Sequence, residues 1–239
     1  TRFFSDEIIN KKDFGNFSTN INTKTTQNTI QSFCDLKGLS VSITIFIYPG
    51  NYTVLDYCFK NNIDYVRRIT GGGNVFHDYM GEITYSIVLS EKKSPDNILD
   101  SFEFIYGGII KGLKNMDINV EFKPLNDLTF NSKKISGSAQ TRKNGIILQH
   151  GTLMFNTNIE LMEKVLRISN QKTEIRKRVT TLSREGYNIG KKELIKNLKK
   201  GFEEIYGKSN KGKLSRGELS LAKKLAYGKY KSKEWNYKK

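Results

Sequence analysis

The sequence predicts an α/β protein of the α+β kind, with helices flanking a mostly antiparallel central sheet. Runs of β-branched and aromatic residues surround a triple glycine between residues 63 and 90, and short strands joined by tight turns fill residues 126–155. Apolar residues recur at helical spacing at 96–116, 191–206 and 218–230. Helices layered on a sheet bury the apolar faces of both kinds of element.

Composition limits the class of protein. The 239 residues suit one large domain, or one domain with a small appendage, and the net charge of +16 favours an acidic partner, nucleic acid or a membrane surface. Residues 190–239 contribute +11 of that charge, from fifteen Lys and one Arg against five Glu. No apolar run approaches the roughly 18 residues that cross a bilayer. Cys34 and Cys58 are the only cysteines, so we expect a cytoplasmic protein without a disulfide scaffold or structural zinc.

The N-terminal elements give weaker signals. The polar run Asn16–Asn28 predicts a poor helix or an irregular segment. Val41–Tyr48 alternates β-branched and aromatic residues, which predicts a strand, and the dipeptide Pro49-Gly50 ends it. Asp56–Asn62 is predicted as a short helix. Farther along, Asp96–Met116 is predicted as an amphipathic helix whose apolar face belongs to the core.

The triple glycine at 71–73 carries the first chemical signal. It lies between two predicted strands, Ile63–Ile69 and Ile83–Leu89. Adjacent glycines are costly on folding, so they favour a sharp turn or a close approach of the backbone to a ligand. Arg67 and Arg68 bring positive charge beside exposed backbone N–H groups, which suits a phosphate. On the glycines alone, a β-turn with a solvated arginine pair is the simpler interpretation.

A second informative stretch precedes the C-terminal helices. It predicts three strands, at Leu128–Phe130, Lys134–Ala139 and Ile146–Phe155, with Asn144-Gly145 as the hairpin turn before the third. Gly137, which two serines flank, would let its strand pass close beneath a ligand.

Helical periodicity dominates the remainder. Asn158–Ser169 begins with a capping candidate, Lys191–Tyr206 ends at Gly207, and Glu218–Tyr230 is the last predicted helix. Arg176–Leu182 is predicted as a basic loop or short strand.

Two long motifs follow one another along the chain. The first is RRITGGGNVFHD with GEITYS after it, and the second is NDLTFNSKKISGSAQ with GIILQHGTLMF after it. They resemble the signature loop, the lysine strand and the histidine strand of the lipoate–protein ligase branch of the biotin/lipoate ligase-like family. KRVTTL at 177–182 and LAKKLAYGKYKSKEWNYKK at the C-terminus resemble weaker blocks of that family. The resemblance runs from about residue 41 onward, while the first forty residues depart from the family pattern.

The resemblance implies an adenylate-forming ligase. A lipoate carboxylate would attack the α-phosphorus of ATP, and a lysine of an acceptor domain would then attack the lipoyl-adenylate. Mg²⁺ is the implied cofactor. The implied partners are acidic lipoyl-acceptor domains (2-oxoacid dehydrogenase E2 or glycine cleavage H-type protein), which a basic C-terminal face would attract and orient. Because some relatives keep the accessory C-terminal domain as a separate polypeptide, a separate accessory subunit and a chain that acts alone are both open. No membrane is implied. We expect a catalytic domain over 1–207, with 208–239 as a basic helix and tail packed on it.

The resemblance also implies the site residues. Lys134 is the implied catalytic residue, whose ammonium would neutralise charge on the carboxylate and α-phosphate; composition alone favours a surface lysine. Asp127 is the implied Mg²⁺ ligand. Residues implied to bind ATP or lipoyl-AMP are Arg68, Gly71, Gly72, Gly73, Asn74, Val75, Phe76, Asn126, Asp127 and Lys134. Residues implied to line the lipoate pocket are His77, Tyr85, Ser136, Gly137, Ala139, His150 and Gly151, with structural roles equally open for the two histidines.

The main alternative is an octanoyltransferase on the same fold, which uses a cysteine thioester and needs no ATP. GSAQTRKNGIILQHG resembles that branch too. However, the segment before Lys134, FKPLNDLTFNSKK, contains no cysteine, no cysteine follows Cys58, and neither Cys34 nor Cys58 matches a known nucleophile position.

Other interpretations have less support. A biotin ligase would carry a GRGRxGR-like loop, which is absent. A nucleic-acid-binding protein would suit the charge, yet the sequence has no recognised module of that class and no basic helix with interleaved aromatics. A pseudoenzyme that binds lipoate or adenylate without transferring it stays open, although the intact Arg68, glycines 71–73 and Lys134 argue against it.

Overall fold

A computed structural model describes residues 8–10, 39–43, 49–166, 175–212 and 216–237. The predicted segment Asn16–Asn28, Cys34 and the ends of two predicted elements (44–48 and 167–169) lie outside these ranges. The strands are β1 (Ile8–Asn10), β2 (Leu39–Ile43), β3 (Asp64–Arg67), β4 (Val75–Asp78), β5 (Glu82–Ser90), β6 (Glu121–Lys123), β7 (Asp127–Phe130), β8 (Lys133–Lys143), β9 (Ile146–Met154) and β10 (Asn210–Gly212). The helices are α1 (Pro49–Lys60), α2 (Ile98–Lys114), α3 (Ile159–Leu166), α4 (Ile175–Arg178), α5 (Lys191–Tyr206), α6 (Arg216–Leu225) and α7 (Lys233–Asn236).

A five-stranded antiparallel sheet forms the centre of the fold. Its strand order is β5-β9-β8-β7-β6, and each neighbouring pair is antiparallel. The turn between β8 and β9 has positive φ at both Asn144 (52°) and Gly145 (70°), as a tight two-residue hairpin turn requires. The predicted α+β fold with a mostly antiparallel sheet and the predicted hairpin are therefore confirmed.

A smaller sheet carries the glycine loop. Its order is β3-β2-β4, with β2 parallel to β3 and antiparallel to β4. The sequence prediction missed β4, which follows the glycines directly. The short helix predicted at Asp56–Asn62 begins earlier than expected, because Pro49 is the first residue of α1. Proline is tolerated in the first turn of a helix because the N–H groups there have no intrahelical partner.

Helices α2 and α5 cover one face of the main sheet. Tyr106, Ile109 and Leu113 of α2 pack with Leu194 and Leu198 of α5 in the largest apolar cluster. This cluster also contains inward side chains of β5, β7, β8 and β9. The Asn97 side chain caps α2 by accepting from the backbone N–H of Leu99 at 2.8 Å. The predicted helices at 96–116 and 191–206 are confirmed.

Two smaller clusters support the glycine-loop sheet. The first joins Cys58 of α1 and Phe76 of β4 to Met162 of α3. The second packs Val66 of β3 against α6 and the turn that follows it, a π-helical turn at Ala226–Tyr230. The predicted Asn158 cap is confirmed, because its side chain accepts from Leu161 N–H at 2.9 Å. Among the described helices, none combines the length and apolar character needed to cross a membrane.

Candidate active site

A break in strand pairing sets the orientation of Lys134. Between β7 and β8, Leu128 pairs with Ser136 but Thr129 pairs with Lys134, so one extra residue of β8 is accommodated as a bulge. In a regular strand, Lys134 and Gly137 would point to opposite faces, since they are three residues apart. The bulge brings both to one face, and a Cβ built on Gly137 would lie 2.7 Å from Lys134 Nζ.

Lys134 forms an ion pair across Gly137. Its Nζ lies 2.6 Å from Asp127 Oδ1, and both side chains are partly exposed. Its main chain is held from a second side, because Thr180 N–H donates to Lys134 O at 2.9 Å and Val179 forms a parallel bridge with Lys134. The structure thus brings the 177–182 motif beside the lysine and leaves the ammonium on an open face with a carboxylate.

Asn126 fixes the start of β7. Its carbonyl oxygen accepts from Ser138 N–H at 3.0 Å and from the Tyr106 hydroxyl at 2.8 Å. Its side-chain amide donates to Ser138 O. Asn126 therefore positions its neighbour Asp127 within the strand pair.

Tyr106 is a residue that the sequence analysis did not assign to the site. It is fully buried on α2, and burial raises its pKa to about 12, so the hydroxyl stays protonated and donates. Its signal in the sequence is a hydroxyl on the buried stripe of an amphipathic helix, because a buried tyrosine needs a hydrogen-bond partner. The sequence does not say which partner that is.

The glycine loop folds around Arg68. The Arg68 Nη2 group donates to Gly71 O at 2.8 Å and to Gly73 O at 2.7 Å, and the side chain is 3% exposed. Burial lowers the pKa of the guanidinium to about 10, so it keeps its charge at neutral pH. The predicted forked contact between Arg68 and phosphate stays a prediction, with Nη2 held by the loop itself.

The three glycines of the loop differ in whether the fold itself requires glycine at the position. Gly72 has φ of 103°, a conformation that favours glycine. A Cβ added to Gly71 or Gly73 would meet no atom within 4 Å, so internal packing does not require glycine there. Their small size leaves the outer side of the loop open, which suits a ligand that approaches the backbone.

A hydrogen bond connects the loop to the main sheet. Thr70 Oγ1 lies 2.7 Å from Nε2 of His150 on β9. Burial, and then the nearby Arg68 and His77, lower the pKa of His150 to about 3, so the ring is neutral at pH 7. His77 on β4 has its own partner, Glu82 Oε1, at 2.5 Å from Nδ1. Both histidines thus hold structural contacts at the junction of the two sheets.

The predicted lipoate-pocket residues divide between two faces of the main sheet. Gly137, Ala139 and His150 are partly exposed, and Ala139 pairs with His150 in the strand register. Tyr85, Ser136 and Gly151 are buried on the α2 side instead, where the Tyr85 and Tyr106 rings meet edge to face. Tyr85 is paired with Gly151, and a Cβ on Gly151 would lie 2.7 Å from the Tyr85 hydroxyl. Of these six residues, only the first three lie on the face of the main sheet that carries Lys134.

The predicted nucleotide-contacting residues after the glycines also separate. Phe76 is buried in the cluster with Cys58, whereas Asn74 and Val75 are partly exposed. Val75 pairs with Ser42 of β2. Asn74 and Val75 are therefore the residues of this segment that keep some exposure to solvent.

The predicted Mg²⁺ site has one carboxylate. No group of three or more metal-binding side chains occurs among the described residues. Asp127 fits Mg²⁺ as a single protein ligand, because this ion commonly takes its other oxygen ligands from water and substrate phosphates. That assignment stays a prediction.

Comparisons with known proteins identify the family of this chain. The model of the family described as the lipoyl protein ligase A/B catalytic domain matches residues 48–203, and the chain belongs to this family. An octanoyltransferase LipM from Clostridioides difficile is 34% identical, covering 77% of this chain and 78% of that protein. The predicted resemblance to this group of enzymes is confirmed.

Two solved structures share the fold. Lipoate-protein ligase A bound with ATP has a TM-score of 0.74 and 25% identity, covering 89% of this chain and 94% of the other. A bipartite lipoate protein ligase of Thermoplasma acidophilum, from a study with its E2 lipoyl domain, has a TM-score of 0.75 and 25% identity, covering 89% and 91%. The chain is thus an enzyme of the group that contains lipoate ligases and octanoyltransferases.

Proposed function

We propose that this chain is an ATP-dependent lipoate–protein ligase. The observation that carries the proposal is the Lys134 ammonium, which lies across Gly137, 2.6 Å from Asp127, in a segment without a cysteine. A cation on an open strand face suits a reaction in which negative charge builds up on a carboxylate and a phosphate. The ligase structure with bound ATP supports the same class of substrate.

In the first half-reaction, a carboxylate oxygen of lipoate forms a bond to the α-phosphorus of ATP, and pyrophosphate leaves with the electrons of the broken P–O bond. Lys134 neutralises charge on the carboxylate and the α-phosphate, which lowers the repulsion between them. The loop at 71–73 receives the nucleotide against its backbone. Asp127 would hold Mg²⁺, which would supply further charge neutralisation at the phosphates.

In the second half-reaction, the neutral amine of an acceptor lysine attacks the lipoyl carbonyl. An amide bond forms, the bond to the adenylate oxygen breaks, the amine nitrogen loses a proton to solvent, and AMP leaves. We propose lipoyl domains as the acceptors, supported by the archaeal ligase that was studied with its E2 lipoyl domain. That ligase is bipartite, which also supports an accessory subunit as a partner of this chain.

Octanoyl transfer is the second candidate, because the C. difficile relative is named an octanoyltransferase. That chemistry in this family needs a nucleophilic cysteine. Cys58, the cysteine within the described residues, is fully buried in an apolar cluster, and burial raises its pKa to about 11. A raised pKa disfavours the thiolate, which is the reactive form. We therefore favour the ligase.

Lipoate-dependent ATP–pyrophosphate exchange, measured with Mg²⁺ and no acceptor, tests the proposal. The wild type should show exchange, and Lys134→Ala should reduce it by about 100-fold or more, the usual range for removing a preorganised charge-stabilising group. Lys133→Ala is the matched control, since that neighbouring lysine is exposed and should be dispensable.

A folded wild-type protein without exchange, even after an accessory subunit is supplied, would contradict the ligase. Octanoyl transfer from a carrier thioester without ATP would then be measured. Activity that Cys34→Ser or Cys58→Ser abolishes would establish the transferase in its place.

A further inference from the structure

The C-terminal segment contacts β3 at the residue that precedes the glycine-loop arginine. Trp235 Nε1 donates to Arg67 O at 2.8 Å, and Arg67 N–H donates to Asn236 Oδ1 at 2.8 Å. β3 is an edge strand of its sheet, with β2 on its other side. Since the N–H and C=O of one residue point to the same side of a strand, two consecutive side chains here take the place of a neighbouring strand.

The Arg67 side chain adds further contacts to the same partner. Its Nε and Nη2 groups lie 3.3 and 3.1 Å from the carbonyl oxygen of Asn236. Arg67 is 2% exposed and Asn236 is 5% exposed. A buried guanidinium is costly unless its donors are satisfied, so these bonds are a condition for burying Arg67.

Asn236 is itself held in place. Its side-chain amide donates to Tyr230 O at 2.7 Å and to Ser232 O at 2.9 Å, which fixes the direction of its Oδ1 toward Arg67. The Ser232 hydroxyl caps α7 by accepting from Trp235 N–H at 3.1 Å. The acceptor for Arg67 is therefore preorganised.

Trp235 is anchored by its ring. It meets the buried Tyr230 ring edge to face at 5.6 Å, and Lys229 Nζ lies 3.9 Å from its ring centroid. These contacts do not involve the indole N–H, which is left to bind Arg67 O.

The contacts continue from Arg67 into the loop. The next residue, Arg68, donates to Gly71 O and Gly73 O, and Thr70 bonds to His150 on the main sheet. Three consecutive parts of one short segment are thus held by the C-terminal segment, by the loop's own carbonyls and by β9. A shift of Arg67 would move Arg68, around which the glycine loop is folded.

We propose that Trp235 and Asn236 are positioning residues for the glycine loop: they fix β3 so that Arg68 holds the loop in the shape that receives the nucleotide. The part of the proposal that concerns ATP rests on the ligase activity proposed above, whereas the effect on the loop does not. The segment 226–237 then belongs to the catalytic unit.

The test uses the full chain with Trp235→Phe and Asn236→Ala. Phenylalanine keeps an aromatic ring against Tyr230 and Lys229 but removes the N–H donor. Tyr237→Phe is the matched control, because it removes the hydroxyl contact to Tyr65 (2.6 Å) from the same segment without touching Arg67. Amide hydrogen exchange over residues 66–76 should become about five- to tenfold faster in both variants, the effect expected from one lost hydrogen bond.

Kinetics form the second readout. In lipoate-dependent pyrophosphate exchange, KM for ATP should rise by about five- to tenfold, with KM for lipoate unchanged and kcat within about twofold. A general loss of folded protein would lower kcat and leave both KM values unchanged. A rise in KM for ATP without a fall in kcat therefore distinguishes a positioning effect from a loss of stability.

If amide hydrogen exchange over residues 66–76 is unchanged in a folded Trp235→Phe protein, the proposal is overturned, even where Asn236→Ala fails to fold. An equal effect of Tyr237→Phe overturns it too, because the whole segment would then be loosened. If amide hydrogen exchange of the loop becomes faster but the wild type has no ATP-dependent activity, the positioning role is supported and only the ligase proposal is contradicted. Faster loop exchange with an unchanged KM for ATP overturns the link to the nucleotide.

Discussion

Gly137 determines where the Lys134 ammonium lies. The side chain of Lys134 passes over the position where a Cβ would stand, with Cε and Nζ each 2.7 Å away from that point. The atoms in conflict are the flexible end of a lysine, which can move aside at little cost. Gly151, one strand over, differs because its Cβ would lie 2.6 Å from the backbone oxygen of Gly137. A backbone atom within a sheet cannot move aside in this way.

We expect Gly137→Ala to fold normally and to lose activity. The methyl group would displace the ammonium from its position beside Asp127, and a misplacement of about 1 Å at a reacting group can cost about 100-fold in rate. Thermal unfolding checks the folding, and lipoate-dependent ATP–pyrophosphate exchange on the same preparation checks the activity.

Gly151→Ala is the contrasting variant. It should lower stability by about 1–3 kcal/mol through overpacking. If Gly137→Ala keeps full activity, the position assigned to Lys134 is wrong.

At the scale of elements, glycines bring α2 and α5 into backbone contact. A Cβ on Gly201 of α5 would overlap the backbone of Gly112 and Gly108 on α2, and a Cβ on Gly112 would lie 2.7 Å from Asn197 O. Gly107 also lies on α2. A Cβ added there would lie 3.5 Å from the Tyr206 hydroxyl, its nearest atom, which is an ordinary van der Waals contact. The close helix pair supports the sheet that carries Lys134.

Gly201→Ala should therefore destabilise the protein strongly. Because backbone atoms on both helices would have to separate, we expect a loss of about 3 kcal/mol or more, which corresponds to at least about 6 °C in the thermal midpoint for a chain of this size. Gly107→Ala should instead be neutral or stabilise by up to about 1 kcal/mol, since alanine favours a helix over glycine. Equal midpoints for the two variants would contradict the described interface.

Elements with local signals were the ones that the sequence predicted well. α2 and α5 show helical periodicity, and the β8–β9 hairpin has Asn144-Gly145 at its turn, so each was recognised from its own residues. The bulge at Ile135 has no such signal, because it arises from pairing with β7. β4 was missed because four residues after a glycine loop are too few to show a period.

The same contrast holds for the candidate site: residues within contiguous motifs were predicted, whereas residues whose partners are distant in sequence were missed. The resemblance supplied Lys134, Asp127 and the glycines, because those residues lie in two contiguous motifs. Tyr106 was missed because its role depends on the carbonyl of Asn126, twenty residues away in sequence. Asn236 was missed for the same reason, since its partner Arg67 is 169 residues away. Contacts of this range depend on the tertiary fold.

At the scale of the molecule, two groups of exposed basic residues among the described ones are candidates for docking an acidic partner. One is in the C-terminal part of the chain, where exposed lysines such as Lys223 lie on α6. The other is on α4, whose exposed Arg176, Lys177 and Arg178 directly precede the residue that bridges Lys134. Arg176 also pairs with Glu163 at 3.0 Å. Because electrostatic attraction decays over about 8 Å at physiological salt, the surface nearest the reacting group should dominate.

We therefore expect transfer of the lipoyl group to an acidic lipoyl domain to depend on salt and on α4. From preformed lipoyl-adenylate, the second-order rate constant should fall by about tenfold or more between 0.05 and 0.5 M salt, since steering by charge is screened. Lys177→Glu should lower the rate at low salt more than Lys223→Glu does, which is the matched charge reversal on α6. Cleavage of the bound adenylate by hydroxylamine, which is uncharged at neutral pH, should respond to neither change.

A rate independent of salt would contradict steering, and a larger effect of Lys223→Glu would move the docking surface to the C-terminal helices.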